Sequence, residues 1–329
     1  MRKIWLNPGF WLVLAIVVAL GAWPIFQQDA AARETGFTVL LAIVMASSLN
    51  IVMGYTGYVS FGHVVFYGIG GYIGMYFIDS LGLPLPVAVL FGGLSSALLA
   101  FLLGKAILRL RGAYFALATI GVNEAARTFV ANFQPFGAAT GIELQFSVYK
   151  AYGGALQALW LVYYGVVGIA IFSVIFSYYI KTSKFGLGLM TIREDEDAAE
   201  VIGIVTPNAK TWAYVLSAIL PGMLGVLFFF KNGNVEPGDA FRLGFSIESL
   251  VMIMLGGQGT VLGPVLGALG YQRLRGTLLT SDLMIGSLPL KDFQLVISGF
   301  LMLLIILFIP SGLVGWLRQR FATLRRVLA

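Results

Sequence analysis

An all-α, polytopic membrane architecture is predicted by three features of the 329-residue chain. Hydrophobic residues make up 59% and charged residues 11%, well below the roughly 25% charged content of soluble domains. Mean hydropathy is +0.90, and apolar tracts approaching the ~20 residues that a bilayer span needs recur along the whole length. The third feature is the count of 41 glycines, because small residues let apolar helices approach closely or break at membrane depth. Little length is left for a soluble domain, so 1–329 reads as a single transmembrane unit.

Met1-Arg2-Lys3 precedes the apolar run Phe10 to Phe26. That run is either a first span or a signal peptide, with Ala30 and Ala32 imitating a cleavage site, and its length favours an uncleaved span. Phe37 to Gly54 is a second span. The glycine-rich turn Gly54-Tyr-Thr-Gly57-Tyr-Val-Ser60-Phe-Gly62-His63 then interrupts the pattern before Val64 to Ile78 resumes it. Irregular backbone at that depth needs protein or a cavity around it. Leu85 to Leu103 follows Pro84 and Pro86 and ends in the basic flank Lys105, Arg109 and Arg111. Tyr114 to Val130 is a fifth span carrying Glu124 and Arg127, whose i, i+3 spacing predicts an intramembrane ion pair facing the bundle.

Asn132 to Gly154 reads as an outer loop, and Ala155 to Ile180 crosses back to Lys181 and Lys184. Trp212 to Phe230 leaves again past Pro221 and Gly222, reaching an outer loop around Glu236-Pro-Gly-Asp239. Two short apolar segments follow, Ile247 to Leu255 and Val261 to Ala268, broken by Gly256-Gly257-Gln-Gly259-Thr260. They are either two spans or a re-entrant hairpin. Glu248 is read as capping the segment that begins near Ser246. Phe293 to Ile309 is the last span, and Arg318, Arg320, Arg325 and Arg326 close the chain. The total is about ten hydrophobic segments, eight to ten of them spans, with Gly-broken helices.

Positive charge fixes the expected sidedness. Arg2, Lys3, Lys105, Arg109, Arg111, Lys181, Lys184, Arg193, Lys210 and the four C-terminal arginines fall on one side, and Arg33, Lys150, Lys231, Arg242 and Lys291 on the other. The positive-inside rule places both termini in the cytoplasm. The chain then divides into a first group of spans (10–180), a cytoplasmic loop (181–210), a second group (211–310) and a basic tail (311–329).

Glu194, Asp195, Glu196, Asp197 and Glu200 lie within the cytoplasmic loop, and Ala198-Ala199 lead to Gly203, a helix stop. The acids read either as a solvated face or as a docking helix. With no Cys and one His, the chain offers no disulfide, thiolate nucleophile or multi-His metal site. It shows no nucleophile elbow and no Gly-x4-Gly-Lys-Ser/Thr loop, so no catalytic or metal residue is assigned and any ATP dependence must come from another polypeptide. Nucleic acid is not an implied partner, since the net charge of +6 follows the membrane topology. His63 reads mainly as a hydrogen-bonded packing residue, with a pathway role second.

A weak internal repeat relates Gly54-x2-Gly57-x4-Gly62, followed by Gly71-Tyr72, to Gly256-x2-Gly259-x3-Gly263, followed by Gly270-Tyr271. Broken segments of two repeats often meet at a transport site. Gly54, Gly57, Ser60, Gly62, His63, Gly256, Gly257, Gly259 and Gly263 are therefore the candidate translocation pathway.

Gly54 to His63 continuing to Tyr72, Phe185-Gly to Gly203, Ser246-Ile-Glu-Ser249, and Gly256 to Ala268 together resemble the branched-chain amino acid ABC transporter permease family, of the LivM type. The resemblance runs from about Phe37 to Pro310. It implies an import permease in a bacterial-type inner membrane. It also implies a second, related permease, two cytoplasmic ATPase subunits that hold ATP and Mg, and an extracytoplasmic substrate-binding protein. Arg193, Glu194, Asp195, Glu196, Asp197, Ala198, Ala199 and Gly203 match the ATPase-coupling loop, with Asp197 standing where the general Glu-Ala-Ala pattern has Glu. Related permeases carry urea, short amides or other amino acids, and an ATP-independent secondary transporter is the alternative of a different class.

Overall fold

The computed structural model describes residues 8–27, 29–279, 284–285, 288–289, 293–308 and 312–320. Its helices, in chain order, are α1 (Pro8–Gln27), α2 (Ala30–Thr56), α3 (Val64–Leu81), α4 (Leu85–Ile107), α5 (Ala113–Ala131), α6 (Ser147–Lys150), α7 (Ala155–Thr182), α8 (Lys184–Glu194), α9 (Glu196–Val201), α10 (Thr206–Asn232), α11 (Pro237–Ala240), α12 (Leu243–Gly256), α13 (Leu262–Leu279), α14 (Gln294–Phe308) and α15 (Gly312–Arg320). The only strands among the described residues are two two-residue antiparallel pairs: β1 (Ile142–Glu143) with β2 (Asn234–Val235), and β3 (Met284–Ile285) with β4 (Leu288–Pro289).

Six of these helices, α1, α2, α3, α4, α7 and α10, are long and apolar enough to cross a membrane. The chain is thus an all-α, polytopic membrane protein. The other four expected segments are helical but fall short of that standard. α12 has 14 residues and α14 has 15. α5 and α13 reach 19 and 18 residues but are diluted by Glu124 and Arg127, and by Arg273 and Arg275. The charged ends of the chain, Arg2 and Lys3 and then Arg325 and Arg326, lie outside the described residues.

Burial separates core helices from lipid-facing ones. The most apolar stretch of α2 is 89% buried and that of α10 78%, against 33% for α1 and 39% for α4 and α7. The exposed side of α4 is a stripe of Leu90, Leu94, Leu98 and Leu102, one per turn. With no hydrophobic drive between helices inside lipid, close backbone packing has to hold the bundle. At the junction of α3, α4 and α10, a Cβ on Gly70 would stand 2.4 Å from the Cα of Gly222. Ser96 donates there to the carbonyls of Phe66 at 2.8 Å and Gly92 at 2.9 Å. Pro221 sits beside this contact without ending α10.

The two ends of the bundle gather different loops. At one end β1 pairs with β2, Glu34 pairs with Lys231, and Leu85 N–H donates to Tyr152 Oη at 2.8 Å. At the other, Tyr58, Arg111, Arg193, Glu196 and Lys210 converge.

Candidate functional site

The acidic stretch is two short helices rather than one. Ser183 caps α8 by accepting from Gly186 N–H at 3.1 Å, and α8 stops where Asp195 turns extended, at φ −158° and ψ 115°. The Asp195 carboxylate then accepts from the N–H groups of Asp197 and Ala198, at 2.9 and 3.0 Å, which caps α9. At the far end Gly203 N–H bonds the Glu200 carbonyl and Ile204 N–H the Ala199 carbonyl. That doubly bonded stop needs a left-handed residue, and Gly203 supplies it at φ +91°. Leu189, Ile192 and Ala199 form the underside of this unit, buried against Ile51, Tyr55, Ile180 and Ala213. The loop is therefore seated on the ends of α2, α7 and α10.

Its acids differ in role. Glu194 and Asp197 point outward, with side chains 74% and 76% exposed, whereas Glu196 is 14% exposed. Glu196 Oε1 accepts from Lys210 Nζ at 2.6 Å and Oε2 from Tyr58 Oη at 2.6 Å. Lys210, itself only 3% exposed, also donates to Tyr58 Oη at 3.0 Å and to the Leu108 carbonyl at 2.9 Å, so its three N–H donors each have an acceptor. Arg111 adds contacts to Glu196 at 3.7 Å and Asp197 at 2.9 Å. Burial alone would push the Glu196 carboxyl up. The hydrogen bonds from Lys210 and Tyr58, with the charges of Lys210 and Arg111, outweigh it and hold the group below its ordinary value. A reading of all these acids as one solvated face fails at Glu196.

Arg193 links this unit to both glycine-rich breaks. Its Nη1 donates to the Gly54 carbonyl at 3.0 Å. A Cβ on Gly57 (φ +79°) would stand 3.0 Å from Arg193 Cγ, and one on Gly259 (φ +74°) 2.8 Å from Nη1. The glycines of the two breaks thus form a slot for one arginine. Direct bonds join the breaks as well. The Asn50 side chain accepts from Gly259 N–H and donates to the Thr260 carbonyl, both at 3.0 Å, and Gln258 Nε2 donates to the Met53 carbonyl at 2.8 Å. A Cβ on Gly256 would lie 1.7 Å from the Gly263 carbonyl oxygen, and Thr260 Oγ1, which donates to the Gly257 carbonyl, accepts from Gly263 N–H. The repeat motifs meet in a closed contact at the loop end of the bundle.

Other expected residues lie elsewhere. His63 is fully buried, 3.1 Å from Ser48 Oγ and edge-on to Phe66. Ser60 is also buried, and Gly62 lies where a Cβ would stand 2.4 Å from the Thr119 carbonyl of α5. The Glu124–Arg127 pair forms at 2.7 Å but does not face the bundle, its side chains being 59% and 48% exposed. The inward face of α5 belongs instead to Phe115, Thr119 and Asn123, whose Nδ2 donates to the Phe241 carbonyl at 2.9 Å. Glu248 is no helix cap either. α12 begins at Leu243, and Glu248 is buried inside it, 3.4 Å from Arg275 Nη1. Tyr58 carries no signal in the sequence that would mark it as a partner of Glu196, and Arg111 and Lys210 stand out there only as cytoplasmic-side charges. Asn50 does carry a signal, as the one side-chain amide in the span Phe37 to Gly54.

The family model described as the permease component of branched-chain amino acid transport systems matches residues 34–306. The chain is similar to the LivM permease proteins of high-affinity branched-chain amino acid transport in Salmonella typhimurium and Escherichia coli. It is 28% and 27% identical to them, over 94% of this chain and 75% of each relative. A probable branched-chain amino acid permease LivM of Methanocaldococcus jannaschii is 28% identical over 47% of this chain and 46% of its own length. With most of its length matched, the chain belongs to the family of branched-chain amino acid transport system permease components.

Proposed function

We propose that the chain is a membrane-spanning subunit of a binding-protein-dependent ABC importer for branched-chain amino acids, with both termini cytoplasmic and the six long helices supplemented by α5, α12, α13 and α14. ATP and Mg belong to two ATPase subunits, and a second, related permease completes the pathway. Residues 193–203 are the surface on which an ATPase seats. Seating moves α8 and α9 as one rigid unit, and Arg193 and Glu196 carry that movement to the cytoplasmic ends of α2, α10 and α12. The glycine contact at Gly54, Gly57, Gly256 and Gly259 is the cytoplasmic seal of an alternating-access cycle.

The observation that carries this reading is the position of Arg193, with its outer neighbours exposed to a partner and its guanidinium lodged in both glycine breaks. Agreement between the charge-derived sidedness and the clustering of loops at each end supports the topology. The test is uptake of radiolabelled leucine by the reconstituted complex. The reading requires uptake that depends on ATP and on the binding protein. Uptake driven by an ion gradient without ATP would replace it with the secondary-transporter alternative.

A further inference from the structure

The outward stripe of α4, Leu90, Leu94, Leu98 and Leu102, is more than half exposed at every position. At 1.5 Å per residue it covers about 18 Å, and it leads to Lys105 and, one turn further, Arg109, both exposed. The sequence from Leu81 to Gly104 holds no charge, so α4 is charged at one end only.

Two observations fix the depth and the chemistry of that end. Trp212 of α10 is 53% exposed and its ring centroid lies 6.1 Å from that of Phe101, an aromatic pair of the kind that settles at the headgroup level of a bilayer. Lys105 Nζ sits 4.6 Å from the centroid of the same Phe101 ring, which holds the ammonium against the aromatic pair. Neither Lys105 nor Arg109 forms an ion pair among the described residues. Glu196 and Asp197 are engaged instead by Arg111, and Glu196 also by Lys210.

A basic flank that serves topology alone needs no fixed geometry. Here an ammonium held on an aromatic ring and an exposed guanidinium one turn away stand at the end of a lipid-facing stripe. The ammonium is a compact point charge and the guanidinium a two-pronged donor, a pair suited to the oxygens of a phosphodiester. With two cations and no acid paired to them, a headgroup of net negative charge fits better than a zwitterionic one, whose own cation would be repelled.

We propose that Lys105 and Arg109, with Phe101 and Trp212, form a binding site for the headgroup of an anionic phospholipid whose acyl chains lie along the leucine stripe. The site requires only that the bundle sits in a bilayer and is independent of what the chain transports. Arg109 adjoins Leu108, whose carbonyl accepts from Lys210, so the headgroup lies next to the network around Glu196.

The chain has no cysteine, so a fluorophore can be placed at Ala106→Cys, exposed beside Lys105, and in a second sample at Leu90→Cys, at the opposite end of the stripe. Each labelled full chain is reconstituted in nanodiscs. Quenching is compared for phosphatidylglycerol and phosphatidylcholine that carry the same nitroxide near the headgroup, at equal mole fraction. The expected preference for phosphatidylglycerol at position 106 is roughly fivefold per cation, about 25-fold for the two, with little at position 90. Lys105→Gln with Arg109→Gln should bring position 106 to the level of position 90, and Trp212→Leu should weaken the preference while leaving both charges in place. Equal quenching by the two lipids at position 106, a preference equally strong at position 90, or one that survives the double variant overturns the proposal. Loss of the preference on adding soluble glycerol 3-phosphate also overturns it, since the patch would then bind a free phosphate ester rather than a lipid.

Discussion

Arg193 Nη1 lies 3.0 Å from the Gly54 carbonyl oxygen, across 139 residues of sequence, and joins the last turn of α8 to the last turn of α2. An arginine on a surface loop needs no such anchor for solubility. Its partner is a backbone oxygen in the last turn of α2, the most buried of the six long apolar helices.

Arg193→Ala should uncouple the transporter. Losing a hydrogen bond from a charged group costs about 1.5–3 kcal/mol, so uptake should fall by roughly tenfold or more while the chain still folds. ATP hydrolysis by the assembled complex, measured beside uptake, should persist. A parallel loss of both activities would reduce Arg193 to a folding residue.

Lys210→Met should destabilise the chain more than any change among the exposed acids. It leaves Glu196 half-satisfied in a nearly closed site, an effect of about 3 kcal/mol. The double variant Lys210→Met with Glu196→Gln should recover part of that loss, and a thermal-unfolding double-mutant cycle measures the coupling. Additive losses would show that the pair contributes no mutual stabilisation.

Docking of the 184–203 unit should weaken in acid. The Glu196 carboxyl is held below its ordinary value near 4.5, so the undocked loop binds more protons than the docked one between those two values. Docking is then at full strength above about pH 4.5 and is lost as pH falls through the lower, folded value. Hydrogen exchange across 184–203 reads the effect, and Glu196→Gln should flatten the profile below about pH 4.5.

Glycine substitutions should separate by contact. Gly256→Ala places a methyl 1.7 Å from the Gly263 carbonyl oxygen and should prevent α12 and α13 from packing, lowering the yield of folded chain. Gly168→Ala on the exposed side of α7 meets nothing within 4 Å and should be neutral or stabilising by about 0.5–1 kcal/mol. Thermal stability of the two purified variants in detergent decides the point.

The six long apolar helices were legible because each carries its own signal in hydropathy. The starts of α3 and α4 fall at the expected Val64 and Leu85, and Gly203 ends its helix as foreseen. The glycine repeat was visible as spacing, although only the fold brings Asn50 and Gln258 to stitch the two copies together. What sequence could not supply was helix rotation. Glu124 and Arg127 pair as their spacing requires, yet their face turns outward because the neighbouring Asn123 takes the inward position. Long-range polar contacts were invisible for a similar reason. Nothing near Lys210 in the sequence announces Tyr58 or Leu108, 152 and 102 residues away.

Site-directed cross-linking can show whether residues 193–203 seat an ATPase, because the 329-residue chain has no cysteine. A photoactivatable probe on Asp197→Cys, whose native side chain is 76% exposed on α9, is compared with one on Phe146→Cys, exposed at the other end of the bundle. An ATPase adduct is expected from position 197 and none from position 146. A complex that hydrolyses ATP and imports leucine yet gives no ATPase adduct at position 197 would contradict it.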